Sequence, residues 1–96
     1  MTPVNKVVLV SKSGYDPKHD HLLSRLVDER IELFCVVGKD AEIWEEIMDE
    51  LYVGDGSARD FDLLTSSHPG ESVQSVLDFA KSFVTSRPGE LRVIEV

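Results

Sequence analysis

Two stretches, KVVLVS at residues 6–11 and IELFCVV at 31–37, are nearly continuous runs of apolar, β-favouring residues. A strand with one wet face alternates apolar and polar side chains, whereas an unbroken run is buried on both faces and belongs inside a sheet layered with helices. Residues 6–11 therefore read as the central first strand. What separates the two runs sets the connection between them. Asp16 precedes Pro17, an N-cap followed by proline at the first helical position, and Leu22, Leu23, Leu26 and Val27 then recur at helical spacing. The first helix is expected over residues 17–29.

The alternation continues to the C-terminal end. Gly38 closes the second strand, and Asp40 is placed to cap a helix whose Ile43, Trp44, Ile47, Met48, Leu51 and Tyr52 keep one face apolar. VGDGS at 53–57 supplies a stop and a loop. FDLLTS at 61–66 reads as a third strand, weakened by Asp62. Val73, Val76, Leu77, Ala80, Phe83 and Val84 give the third helix, RPGE at 87–90 a turn, and LRVIEV a last strand. Strand and helix in alternation, joined by short connections, imply a parallel sheet, because a parallel pair needs a crossover.

These elements make a single domain over residues 1–96, a three-layer α/β/α arrangement with three helices and a four-stranded, mostly parallel sheet. The strand order 2-1-3-4 is preferred because it centres KVVLVS. Order 3-2-1-4 is the alternative, and it sends the Asp62-containing strand to an edge.

Composition limits the function classes. The net charge of −8 is concentrated: residues 40–62 contain nine acids and one base, and the acids and bases elsewhere cancel. Nucleic-acid binding depends on neutralising phosphates with Lys and Arg, so no nucleic-acid partner is expected. A basic protein partner is the complementary expectation, met by Glu42, Glu45, Glu46, Asp49 and Glu50 on the polar face of the second helix. The N-terminal MTPVNKVVLVSKSG lacks a basic lead and a long apolar run, and no stretch nears the roughly 18 apolar residues of a membrane span. Cys35 is alone and embedded in an apolar strand, which predicts a buried thiol and a cytoplasmic location. The oligomeric state is not readable.

Topology marks a candidate site before chemistry does. Ligands of open parallel sheets bind outside the carboxyl ends of the strands. Three loops are expected there: 11–16, 38–40 and 65–71. They bring Ser11, Lys12, Ser13, Lys39, Thr65, Ser66, Ser67, His68 and Gly70 to one edge, with a helix N-terminus whose free N–H groups favour a small anionic ligand. Each residue also has a simpler use. Ser67 or His68 can cap the third helix, Pro69 can start it, and Glu71 can complement its dipole.

Reaction templates fit poorly, and no catalytic residue is assigned. No serine has the glycine neighbours of a nucleophile elbow. A Ser-His-acid site requires Ser66 or Ser67 beside His68 with an orienting carboxylate, and adjacent residues at a strand end commonly point apart. SKSG lacks the phosphate-loop spacing, and GDGSAR at 54–59 follows a helix where a dinucleotide fingerprint follows a strand. His19 and His21 lie two apart, about 200° round a helix, while paired histidine ligands use i, i+4; Asp16 and Asp20 have that spacing but suit a first helical turn. No metal or cofactor is expected.

VVGKDAEIWEEIMDEL followed by FDLLTSSHPGESVQSVLDFAKSF resembles a family of small bacterial α/β proteins of unknown function. The likeness runs from KVVLV to RVIEV and is most specific at the HPG turn with Glu71, Ser72, Phe79 and Ala80. It implies a bacterial, stand-alone domain and brings no activity, ligand or catalytic residue. The element order is similar to a truncated flavodoxin-like or receiver-like fold. A receiver needs acids after the first strand and an Asp after the third, where this chain has SKSG and TSSH, so phospho-acceptor function does not carry over. The leading expectation is a non-catalytic interaction or regulatory module using the acidic helix. A small anion binder or small enzyme at loops 11–16 and 65–71 is the alternative.

Overall fold

The apolar runs form the strands they predict, and the sheet is parallel throughout. The computed structural model describes residues 3–54 and 61–96, so Asp55, Gly56, Arg59 and Asp60 of the charge and loop assignments lie outside the described residues. Strand β1 is Val4–Ser11 and β2 is Leu33–Gly38; helix α1 is Asp20–Asp28, entered through a 3-10 turn at Pro17–His19. Helix α2 is Ala41–Val53, β3 is Leu64–His68, α3 is Val73–Ser82 and β4 is Glu90–Glu95.

The strand order is β3-β2-β1-β4, which overturns the preferred 2-1-3-4 and establishes the alternative. Burial explains the outcome. Residues 33–37 are all buried, as are Val7, Val8 and Leu9, so both strands need neighbours and helices on every side. LTSSH and ELRVIE carry the polar groups, and polar groups are tolerated where water reaches the sheet. Asp62 precedes β3 altogether, so it gave no reason to keep that strand off an edge.

Alternate residues of the central strands feed two cores. Val7, Leu9, Phe34 and Val36 pack with Leu23 and Leu26 of α1 and Trp44 and Met48 of α2. Val8, Leu33, Cys35 and Val37 pack on the opposite face with Val76 and Ala80 of α3. Burying one large side chain contributes roughly 1.5–3 kcal/mol, so the fully buried Trp44 is the anchor of the larger core. Lys6 ties the smaller one: its Nζ donates to the Ala80 carbonyl at 2.7 Å and so satisfies the end of α3.

The helix starts differ from the expected caps for local reasons. Asp16 does cap the 3-10 turn, accepting from the Lys18 N–H at 2.9 Å. Asp40 makes no side-chain cap; its backbone is left-handed (φ 61°), and its carboxylate instead accepts from the Tyr15 N–H at 3.0 Å. Ser72 caps α3 through the Ser75 N–H at 3.1 Å, so neither Ser67 nor His68 does. Pro69 and Gly70 form the turn before the helix, with Gly70 at φ 77°. No described helix is long and apolar enough to cross a membrane.

Candidate functional site

Strand β3 begins three residues later than the sequence suggests, and this shift builds the site. Thr65, Ser66, Ser67 and His68 are strand, not loop, so their side chains alternate between the faces of the sheet. Thr65 and Ser67 face α2. Thr65 Oγ1 donates to Asp49, and Ser67 Oγ donates to Glu45 Oε1 at 2.8 Å. Two members of the acidic surface are thereby tied to the strand, while Glu42, Glu46 and Glu50 remain exposed on α2.

Ser66 and His68 face the α3 side. His68 is 8% exposed, and both of its ring nitrogens are engaged. Nδ1 lies 2.7 Å from Glu71 Oε2 and Nε2 lies 2.8 Å from Ser66 Oγ. A carboxylate can only accept, so Nδ1 carries the proton toward Glu71; in the neutral ring Nε2 then accepts from the Ser66 hydroxyl. The Phe79 ring sits 5.3 Å from the imidazole, centroid to centroid, and Phe79 is 42% exposed. Reading residues 65–71 as a loop hides this Ser-His-acid alignment, which becomes visible once Leu64–His68 is strand. Ser67 does point away from His68, but Ser66, two residues back, shares its face.

The β1 loop takes no part in this cluster. With order 3-2-1-4, β2 lies between the ends of β1 and β3, so loops 11–16 and 65–71 are held apart. Ser11 is buried and accepts from the Trp44 indole N–H at 2.9 Å. Its carbonyl accepts from the Lys39 N–H at 2.9 Å. Gly38 is required beside it, since a Cβ there would fall 2.3 Å from the Ser11 carbonyl oxygen at φ 104°.

The strand order reverses between β1 and β4, the position where doubly wound sheets take ligands. Here the residue after β4 fills it. The N–H groups of Lys12 and Ser13 donate to the Val96 carbonyl at 2.7 and 3.3 Å. Lys12 Nζ pairs with Glu95 at 2.8 Å, and that hydrogen bond, with the charge of Glu95, raises the lysine pKa. Gly70 faces open space, and a cleft at this end, about 260 Å³ between Gly38, Asp40, Glu42, Ile43 and Pro69, draws on α2 and not on the β1 loop.

A second polar cluster, unforeseen from sequence, lies at the other end of the strands. Glu32, 8% exposed, accepts from Ser86 N–H at 2.8 Å and Ser86 Oγ at 2.6 Å, with Arg87 Nε 3.8 Å away. Burial works against its charge, but these donors outweigh burial and hold the carboxyl below its usual range. Asn5 donates to the Arg87 carbonyl at 2.7 Å and to Thr85 Oγ1 at 3.2 Å. Together they pin the segment that leads into β4. No group of three or more His, Cys, Asp or Glu among the described residues is arranged to hold a metal ion.

Fold and site define a small parallel α/β domain with a hydroxyl-rich edge strand that lies against an acidic helix and ends in a buried histidine held through both ring nitrogens. The chain belongs to the DUF7684 family, a domain of unknown function, whose model matches residues 1–94. No curated protein and no solved structure matches it.

Proposed function

We propose that this protein is a binding module for a basic, extended protein segment, received along the free edge of β3 beside the acidic α2. The observation that carries this reading is the construction of that edge. The Leu64 N–H donates to the Glu32 carbonyl, so Leu64, Ser66 and His68 turn their backbone groups toward β2. In a parallel ladder the alternate residues, Thr65 and Ser67, then turn theirs outward. Among the described residues no strand pairs with them.

An outward row of N–H and C=O groups is a template for an added strand. LTSSH has no Lys, Asp or Glu to blunt it, and its hydroxyls at 65 and 67 are occupied by α2. Charge selects the visitor. Glu42, Glu46, Asp49 and Glu50 are exposed along α2, and Glu71 just before α3 and Asp78 on it are exposed too, so both sides of the edge attract Lys and Arg. Leu64, 46% exposed, and Phe79 provide an apolar contact on the α3 side.

The alternative expectation, a small anion held between loops 11–16 and 65–71, draws less support. Lys12 is paired, the Lys12 and Ser13 amides are used by Val96, and the carboxylates of Glu45, Asp49 and Glu71 surround Thr65–His68. A cytoplasmic setting goes with the binding reading, in keeping with the buried free thiol of Cys35.

The test is fluorescence anisotropy with a labelled, Lys- and Arg-rich peptide of high β propensity. Changing Glu42, Glu46 and Glu50 together to Gln leaves the strand contacts intact and is expected to weaken binding roughly tenfold at low salt. Equal binding by the triple variant and the native chain would contradict the acidic contribution. Light scattering on the same samples separates peptide binding from pairing of two copies through β3.

A further inference from the structure

We infer that Ser66 is the nucleophile of an acyl-transfer site for small carboxylic esters, with His68 as its general base and Glu71 as the group that orients His68. The inference does not depend on peptide docking. A nucleophile of this kind is recognised by a hydroxyl within hydrogen-bond reach of a base that is itself held by a third group. Ser66 Oγ to His68 Nε2 is 2.8 Å and His68 Nδ1 to Glu71 Oε2 is 2.7 Å, which meets that requirement with the ring in the needed tautomer.

Two further features place a substrate. The N–H of Ser67, the residue after the nucleophile, lies on the outward side of the ladder, where a carbonyl oxygen of an ester over Ser66 can receive it; the residue after the nucleophile is a common oxyanion donor. Leu64 shares the Ser66 face two residues back, and Phe79 lies against His68, so an acyl or aryl group over Ser66 meets exposed apolar surface. Cys35, opposite Ser66 in the ladder, does not compete. Its thiol is fully buried, and burial pushes its pKa up to about 12.

In the reaction, Ser66 Oγ forms a bond to the ester carbonyl carbon while its proton passes to His68 Nε2. The bond to the leaving alcohol breaks, and the alcohol takes that proton. Water then gives a proton to His68 and its oxygen to the acyl carbon; Ser66 leaves and recovers the proton, releasing the acid. Glu71 keeps Nδ1–H in place and stabilises the imidazolium formed in each half.

The full chain, incubated with an alkyl fluorophosphonate, tests the assignment. Attack by Ser66 on phosphorus expels fluoride and leaves one phosphonyl group per chain, which peptide mass mapping is expected to locate on Ser66. Ser66→Ala abolishes that adduct, and His68→Gln slows it roughly 100-fold. Glu71→Gln, at an exposed carboxylate, also slows it, and 4-nitrophenyl acetate hydrolysis falls in the same order. If Ser66 merely satisfies a buried imidazole, the folded native chain carries no phosphonyl group there, and that result overturns the inference without any variant. Adducts elsewhere that persist in Ser66→Ala overturn it as well. Peptide binding without labelling removes this site and leaves the docking reading; labelling without peptide binding does the reverse.

Discussion

The two edges of the sheet are built to opposite ends. β4 reads ELRVIE, and two of its three charges meet the rest of the fold: Glu95 pairs with Lys12 at 2.8 Å and Arg92 approaches Glu29 at 3.7 Å. The segment entering it is held by the buried Glu32 and Asn5. β3 reads LTSSH, carries no Lys, Arg, Asp or Glu, and spends its outward-facing residues' hydroxyls on the acids of α2. Charged, anchored edges resist added strands, whereas a neutral one invites them. The two edges thus differ in what they offer a further strand: β4 is charged and anchored, and β3 is neutral with its outward backbone groups unpaired among the described residues.

The largest effect is expected where the closed edge is anchored. Glu32→Ala removes a buried carboxylate acceptor from the Asn5 and Ser86 donors and should cost about 3 kcal/mol in urea denaturation. A change under about 1 kcal/mol would mean that β4 is held by its ladder alone. The same carboxyl sets a pH response. Its folded pKa lies below the ordinary 4.5, so its contribution is fully present above that value and is lost as pH falls through the lower, folded value. Glu32→Gln should flatten that part of the stability profile below pH 4.5 and leave neutral-pH slopes unchanged.

Next comes a test internal to β3. Ser66→Pro removes an N–H that points toward β2 and should cost about 3 kcal/mol; Ser67→Pro removes an outward one and should cost about 1 kcal/mol. Equal costs would break the inward and outward assignment on which both functional readings rest. A smaller effect should appear in native-state hydrogen exchange, with the Ser66 and His68 amides slower than those of Thr65 and Ser67. Uniform protection along 64–68 would indicate that the edge is already paired.

The central strands were legible because burial on both faces leaves an unbroken apolar run: KVVLVS and IELFCVV could hardly be anything else. Helices followed from the spacing of Leu22 to Val27, Ile43 to Tyr52 and Val73 to Phe83. β3 was misplaced by three residues because a strand whose side chains are hydroxyls looks like a loop, and Phe61 and Leu63 looked more like a strand. Strand order was misjudged for a related reason. Polarity in the third strand reads as a defect to be sheltered, yet it is the property that fits an edge.

For the site, the pairing Ser66-x-His68 is a period-two signal and His68-x-x-Glu71 a turn's reach, so the relay was present in the spacing once residues 65–68 are read as strand. The cluster at Glu32, Ser86 and Asn5 was not legible. Its hydrogen bonds, including that from Asn5 to Arg87, link residues 27 to 82 apart in sequence, and only the tertiary fold brings them together.

The central claim is that β3 is the open edge and β4 the closed one. Amide NMR shifts of the full chain, followed while a basic extended peptide is titrated, address it most directly. The account predicts that Thr65 and Ser67, with Leu64 and Phe79 nearby, shift in proportion to bound peptide while Glu90–Glu95 stay fixed. Shifts confined to β4, or spread over the exposed carboxylates of α2 without any response in Thr65 or Ser67, would contradict it.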